Sequence, residues 1–162
     1  MPAAPPWKMP PLIKVYEALG AIGDGRVRII DDSRATVVSS EGDKSYDVET
    51  SPDLRTVASN DNASFWQGYL GYPGIAVMLA RGFFRIDERA KAALTGISWK
   101  ELNRRFKNDY AKTIAEIDSR LNGAGTDPAD VRREAELVLE ALRKFEPLRG
   151  TRRRPPTEKR KS

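Results

Sequence analysis

The 162-residue sequence contains no cysteine and no histidine. The absence of cysteine excludes a disulfide framework, a thiolate nucleophile and an iron–sulfur site. The absence of histidine removes the commonest zinc ligand and the side chain best suited to proton transfer at neutral pH. Most familiar catalytic constellations are therefore excluded, and the length is that of one globular domain.

Long hydrophobic runs are also absent. Residues 1–7 are rich in proline and lack the apolar run of a signal peptide. The longest stretch without a charged residue, 62–80, contains 19 residues, but three glycines, Pro73 and several polar side chains interrupt it. We therefore interpret 62–80 as a buried core segment and expect a cytoplasmic protein with no membrane partner.

Positive charge is concentrated at the C-terminal end. The net charge is +5, yet residues 149–162 alone carry +6, and the first 148 residues sum to −1. Proline is the only apolar residue type in 149–162, so we expect this segment to be a disordered basic tail. We divide the chain into a proline-rich leader at 1–9, a single domain at 10–148 and the tail.

The apolar pattern predicts an α+β fold, with an N-terminal helix, an antiparallel meander of three or four strands and a helical C-terminal half. Apolar residues at helical spacing follow the prolines at 10–11, and they predict a helix to about Leu19 that ends at Gly20. Four short runs typical of strands come next, at 26–30, 35–39, 44–49 and 55–59. Residues that favour turns connect these runs, so consecutive strands should pair as hairpins.

Helices are predicted from residue 63 onward. Residues 63–80 are apolar on nearly all sides and favour two short helices with a break at 71–74, which completes the first part of the domain at 10–80. In the helical part, 81–148, Asp87 is placed to cap a short helix. Ser98 and Glu101 have the spacing of a capping box that opens one long helix from Trp99 to Leu121.

The last predicted helix begins at Asp127-Pro128 and carries a narrow apolar seam. Its apolar residues alternate spacings of four and three: Val131, Ala135, Val138, Leu142 and Phe145. Such a seam packs against another helix. If Val131, Val138 and Phe145 are exposed in a monomer, the chain is a structural or adaptor protein that forms a homodimer through residues 128–146.

The stretch from Ser59 to Pro73 contains a candidate pocket. Asp61, flanked by two asparagines, could bind a hard cation or a water, and Trp66, Tyr69 and Tyr72 could form an aromatic wall beside it. The alternative is that Asp61 caps a helix whose aromatic residues fill the core. An Asp61-centred metal-dependent enzyme ranks last, because a lone carboxylate lacks a second acid or base. We assign no catalytic residue, cofactor or metal ligand.

Two other patterns do not support a ligand site. The acidic residues of the hairpin region, such as Asp31 and Asp32, lack the spacing of a calcium loop. Gly20, Gly23 and Gly25 are not followed by the Lys-Ser/Thr pair of a phosphate loop. Solvated turns explain the first pattern, and nucleotide binding of that type is not expected.

Cations occur on one helical face and in the tail. On the predicted long helix, five lie away from the apolar stripe: Lys100, Arg104, Arg105, Lys107 and Lys112. The tail adds Arg152, Arg153, Arg154, Lys159, Arg160 and Lys161. This distribution is typical of proteins that contact phosphate backbones. The alternative is a solvated face, since the helix also carries i, i+4 pairs such as Glu101 with Arg105. We expect a non-enzymatic binding protein that contacts nucleic acid or an acidic partner.

Part of the sequence resembles the SWIM zinc-binding module. Lys44 to Glu49 is similar to its Tyr-x-Val strand, Ser59-x-Asp61 stands where Cys-x-Cys would, and Gly71-x-Pro73 stands where Cys-x-His would. Because all four ligand positions are replaced, the resemblance implies a module without zinc. SWIM modules are implicated in binding DNA and proteins.

The whole chain also resembles an uncharacterised family of small archaeal proteins. The resemblance lies in Gly68 to Pro73 and in Trp99 to Asn103. This family implies no activity, so the functional expectation depends on the cations described above.

Overall fold

Helix α1 (Leu12–Gly23) lies at the centre of the structure, and its residues 13–21 are all buried. The structure is a computed structural model that describes residues 4–157. After α1 the chain forms four strands and then a series of helices, so the predicted α+β fold with a helical C-terminal half is confirmed. Within the described residues, no helix combines the length and apolar character needed to cross a membrane.

The sheet has five strands in the order β1-β2-β3-β4-β5. The strands are β1 (Val27–Ile29), β2 (Arg34–Val38), β3 (Ser45–Thr50), β4 (Thr56–Ser59) and β5 (Leu148–Arg149). The first four pair antiparallel as predicted, and alternation places Val37, Val48 and Val57 in the core. The two-residue β5 adds parallel to β4, and it is too short to leave a periodic pattern.

Helix α2 (Tyr72–Ala80) packs between α1 and the sheet, and residues 73–79 are all buried. A single π-helical turn, Ala63–Gln67, precedes it. The break between these two elements lies at 68–71, earlier than the predicted 71–74, because Pro73 occupies the first turn of α2, where a missing N–H costs little. The interpretation of 62–80 as a core segment is therefore confirmed for residues 73–79, whereas Asn62, Trp66 and Gln67 are exposed.

Two glycines that were predicted to end the first helix lie inside α1 instead. A Cβ at Gly20 would come within 2.7 Å of Trp99 Nε1, and one at Gly23 within 2.6 Å of Thr95 Cγ2. The absence of side chains here allows the segment after α3 to approach the α1 backbone. Close packing, and not helix termination, explains these glycines.

The helical half contains α3 (Glu88–Ala93), α4 (Trp99–Arg105), α5 (Tyr110–Gly123) and α6 (Pro128–Phe145). The predicted caps of α3 and α6 are confirmed, because Asp87 accepts a hydrogen bond from Arg89 N (2.7 Å) and Asp127 from Ala129 N (2.9 Å). The capping box at Ser98 is wrong, since its side chain makes no cap hydrogen bond.

The predicted long helix from Trp99 to Leu121 is also wrong. Lys107 and Asn108 have φ values of 53° and 62°, which end α4, and Asp109 then caps α5 by accepting from Lys112 N. The apolar spacing persists through the break, so periodicity alone predicts one helix. The break places Lys100, Arg104 and Arg105 on α4 and Lys112 on α5.

The two terminal segments lie side by side beside β4. Trp7 is 9% exposed and its Nε1 donates to Val57 O (3.0 Å), so the fold includes part of the predicted leader. Arg149 N donates to Pro5 O, and Gly150 N to Val57 O. Residues 149–153 contact backbone and aromatic groups of the rest of the chain, while disorder of the tail stays a prediction. The last tail residues, 158–162, lie outside the described residues.

The apolar seam of α6 faces the chain's own core. Val131, Ala135, Val138 and Leu142 are buried and Phe145 is half-buried against Phe83, with ring centroids 5.0 Å apart. The expectation that Val131 and Val138 are exposed in a monomer is therefore wrong. A homodimer through residues 128–146 would have to use the opposite side of α6.

The adjacent residues Val138 and Leu137 test this orientation. Leu137 is 48% exposed, whereas Val138 is fully buried. We expect Val138→Ala to lower the free energy of unfolding by about 2 kcal/mol, because it leaves a cavity, and Leu137→Ala to change it by less than about 0.5 kcal/mol. Urea unfolding measures both. A larger effect at Leu137, or a midpoint that rises with protein concentration, would support a dimer instead.

Candidate functional site

A cleft of about 760 Å³ opens between α1, the β2–β3 hairpin, the π-helical turn and the α4–α5 region. Six aromatic residues line it: Tyr46, Trp66, Tyr69, Tyr72, Trp99 and Tyr110. Five cationic residues line it as well: Lys14, Arg26, Lys44, Lys100 and Arg104. Glu17 is its single lining carboxylate among the described residues. Its volume lies within the range of roughly 300–1,000 Å³ that is usual for ligand sites.

An ion pair from α1 forms the floor of the cleft. Lys14 Nζ lies 3.1 Å from Glu17 Oε2, and Asn103 Nδ2 donates to Glu17 Oε1 at 2.6 Å. The i, i+3 spacing places both charges on one side of an otherwise apolar helix. Burial by itself lowers the pKa of the Lys14 ammonium, but Glu17 and Tyr110 more than reverse that effect, so the pKa is raised. The floor therefore holds a paired, charged lysine.

Tyrosine rings form one wall of the cleft. Tyr46 and Tyr72 meet edge to face with centroids 6.2 Å apart, and the Arg26 guanidinium lies 5.9 Å from the centroid of Tyr72. Burial raises the pKa of Tyr46 to about 12 and also raises the pKa of Tyr72. Burial likewise raises the pKa of Tyr69 to about 12. These rings are neutral at physiological pH and offer stacking faces and hydroxyl donors.

Two predicted cations stand at the rim where α4 meets the hairpin. Lys100 Nζ lies 2.9 Å from Asp43 Oδ2 and 3.8 Å from Glu41 Oε2. Hydrogen bonds from Lys100 and Ser39 lower the pKa of Asp43 to about 2. Arg104 is exposed and has no ion-pair partner within residues 4–157. Lys100 is thus held in position, while Arg104 is available to an anion.

A second, smaller groove of about 310 Å³ adjoins the cleft at Trp66 and Gln67, which line both. Lys8, Arg149, Arg152 and Arg153 line it, and its described lining includes no carboxylate. Cationic residues thus line both grooves, which share Trp66.

Stacking on aromatic rings orders two arginines of this second groove. Arg152 lies over Phe65, 4.1 Å from the ring centroid, and donates to Phe65 O at 3.1 Å. Arg149 lies 5.3 Å from the ring of Trp7 and donates to Gly68 O at 2.8 Å. Such contacts combine cation–π attraction with a hydrogen bond.

Trp66 is the most exposed large apolar side chain among residues 4–157, at 67%. It extends from the π-helical turn, and its ring meets Phe65 edge to face at 4.6 Å. The indole contacts Phe65 and stays largely exposed. An exposed aromatic ring at the junction of two cationic grooves is a surface suited to a planar, anionic ligand.

The structure brings together residues that the sequence placed in two separate candidate sites. Lys100 and Arg104 share the cleft with Trp66, Tyr69 and Tyr72, and Arg152 and Arg153 line the second groove. The other predicted cations of the described chain line neither groove: Arg105, Lys107, Lys112 and Arg154. The remaining three, Lys159, Arg160 and Lys161, lie outside the described residues.

Sequence reasoning missed the residues that come from distant elements. Lys14 comes from α1, Arg26 from the segment before β1, and Lys44 and Tyr46 from the β2–β3 hairpin. One signal was present, since Lys14 and Glu17 are charges inside an otherwise buried helix. Buried charges of this kind need partners, and they usually mark a polar site.

Asp61 lies behind the cleft and not in its wall. It is 5% exposed, and it accepts hydrogen bonds from Ser64 N (3.1 Å), from Ser64 Oγ (2.7 Å) and from Ser59 Oγ. Ser64 Oγ in turn accepts from Gly71 N at 2.9 Å. The carboxylate, through Ser64, thus links the π-helical turn to the start of α2. Within the described residues, no three acidic side chains form a metal-binding group.

Comparison with known proteins identifies a family. Residues 7–147 match the family model described as Uncharacterised conserved protein UCP014422, so the chain belongs to that family. The matched region begins and ends at residues that are joined by a hydrogen bond, from Trp7 N to Pro147 O at 2.9 Å. No curated protein and no solved structure matches the chain. The predicted membership of an uncharacterised family is confirmed.

Gly71 tests the packing around Asp61. A Cβ at this position would overlap the Asp61 carboxylate, so we expect Gly71→Ala to lower the free energy of unfolding by about 1–3 kcal/mol. Gly123→Ala is the matched control, because its Cβ would meet no atom within 4 Å and alanine favours the helix. Thermal unfolding measures both. Equal stability of the two variants would contradict the proposed packing.

The cleft tyrosines predict a loss of stability in alkali. A tyrosine in the unfolded chain ionises near pH 10, whereas Tyr46 and Tyr69 keep their protons in the folded chain up to a pKa of about 12. The unfolded state therefore loses protons first, and the free energy of unfolding should fall as the pH rises from 10 to 12. Absorbance at 295 nm during titration, in buffer and in urea, measures this difference. Coincident titration curves would contradict it.

Proposed function

We propose that this member of the UCP014422 family is a non-enzymatic binding protein that holds nucleic acid in the cleft and along its basic C-terminal segment. The support is that two independently predicted sets of residues line one cleft. Lys100 and Arg104 come from the cationic helix, and the ring of Trp66 comes from the aromatic stretch. Cations and aromatic rings are the usual partners of the phosphates and bases of a polynucleotide.

Charge favours a polyanion over a neutral ligand. Glu17, the lining carboxylate, is already paired with Lys14, so it adds little negative potential. Arg104 adds an exposed cation, and in the second groove Arg152 adds another. Lys100 and Arg153 also belong to the site but are shared with acidic neighbours. Contacts of this type release counterions, so affinity should fall with salt.

Finer expectations from the sequence stay part of this proposal. They are a cytoplasmic location, an archaeal family and a SWIM-like module without zinc. Ser59, Asp61 and Gly71 occupy three of the four positions that correspond to zinc ligands, and they lie in contact with one another. That arrangement supports the idea that hydrogen bonds at these positions replace a metal.

Fluorescence anisotropy with labelled DNA and RNA tests nucleic-acid binding. We expect the double variant Lys100→Gln, Arg104→Gln to weaken binding about tenfold at low salt. Because two phosphate contacts are lost, it should also reduce the slope of log K against log salt by about 1.5. The control is Arg133→Gln, Arg143→Gln on α6, which removes the same charge from exposed residues outside both grooves.

Three outcomes would contradict the proposal. They are no binding by the unaltered protein at low salt, binding that does not respond to salt, or equal losses in the two double variants. Tighter binding to polyglutamate than to any polynucleotide of equal charge would assign the surface to an acidic protein partner. Circular dichroism of each variant checks that the fold is retained.

A further inference from the structure

We infer that the ligand of the two grooves is a single-stranded nucleic acid, and that Trp66 is the platform on which one of its bases stacks. This inference rests on the proposed function and names its substrate class. It depends on three features: the exposure of the indole, the depth of the other aromatic rings and the continuity of positive charge past Trp66.

The exposure of Trp66 is not explained by the fold. Leu70 and Phe65 nearby are buried or half-buried, whereas the indole remains 67% exposed and is held by an edge-to-face contact. A tryptophan that only filled the core would turn its ring inward. A ring held rigidly with a free face loses little conformational entropy when a base stacks on it.

The remaining rings of the cleft lie deeper than Trp66. Tyr46, Tyr69 and Tyr72 are all half-buried, and the Lys14–Glu17 pair lies below them. In a duplex the base faces are stacked on one another and only their edges are accessible in the grooves. Unpaired bases can enter a recess and stack on aromatic rings, and such stacking tolerates any base sequence.

Cationic residues line both of the grooves that share Trp66. Arg104 lines the cleft, and Arg152 lies over Phe65 in the second groove. A backbone that crosses Trp66 would therefore meet a cation before and after the stacked base. This alternation of cation, ring and cation is the usual design of surfaces that bind single strands.

An aromatic anchor between cations is also found at protein interfaces. We favour the nucleic acid because the adjoining second groove has four cationic residues and no carboxylate in its described lining, and because the cleft contains several further rings. A partner protein is an outcome of the test below.

The first experiment compares ligands that share a phosphate backbone. Anisotropy titrations use a 15-nucleotide single strand of DNA or RNA, the same DNA strand in a duplex, and an abasic oligomer of equal length. We expect the single strand to bind at least about tenfold more tightly than the duplex or the abasic oligomer. A duplex that binds as tightly as the single strand would overturn the inference and leave the proposed function standing.

The second experiment concerns Trp66 itself. We expect Trp66→Ala to weaken single-strand binding by about 5- to 100-fold with an unchanged salt slope, and Trp66→Phe to recover much of the loss. Arg104→Gln should instead reduce the slope of log K against log salt by about 0.7, because it removes one phosphate contact. Trp7 and Trp99 are buried, so quenching of the exposed indole by the single strand gives an independent readout.

The outcomes separate the two claims. If Trp66→Ala binds as tightly as the unaltered protein while Arg104→Gln is weakened, the base-stacking inference fails and the phosphate-binding proposal survives. Both claims fail if no nucleic acid binds. Both also fail if an acidic peptide quenches Trp66 and displaces the strand because it binds more tightly than the strand does.

Discussion

The burial of α1 on all sides is the constraint on which the rest of the structure depends. A helix buried from residue 13 to 21 cannot leave Lys14 and Glu17 without partners, because an isolated charge in a protein interior is strongly unfavourable. The two side chains pair with each other, and Asn103 from α4 completes the hydrogen bonding of the carboxylate. The polar floor of the cleft follows from this requirement.

The burial of α1 also determines how closely other elements approach its backbone. Gly20 and Gly23 leave room for Trp99 and Thr95 against the α1 backbone, which brings the start of α4 over the helix. The side chain of Asn103 then reaches Glu17, and Arg104 follows at the rim. The cationic helix and the aromatic stretch are thus joined in one cleft through contacts with α1.

Local patterns predicted much of the fold. Four short strand-like runs joined by turn-forming residues identified the meander, and Asp87 and Asp127 marked helix starts, because these signals act between near neighbours in the chain. The break at 107–108 escaped prediction since the apolar spacing continues across it. Strand β5 was not predicted, because two residues are too few to show a period.

The candidate site was only partly predictable. Lys100, Arg104 and Trp66 belong to the cationic helix and the aromatic stretch that the sequence offers as candidate sites, and their role in binding stays a prediction. Their convergence depends on tertiary contacts between segments far apart in the chain, such as Asn103 with Glu17, which no local pattern reveals. Arg152 was recognised as a cation, but its ring partner Phe65 lies 87 residues away.

The pairing of the terminal segments has a consequence for how the molecule opens. Chain ends usually separate from a domain independently and at little cost in free energy. Here Arg149 N donates to Pro5 O, Trp7 N donates to Pro147 O, and both segments lie against β4. Release of either segment would break the hydrogen bonds that it makes with the other. The two ends should therefore behave as one cooperative unit, and the second groove, which both help to build, would form and dissolve as a whole.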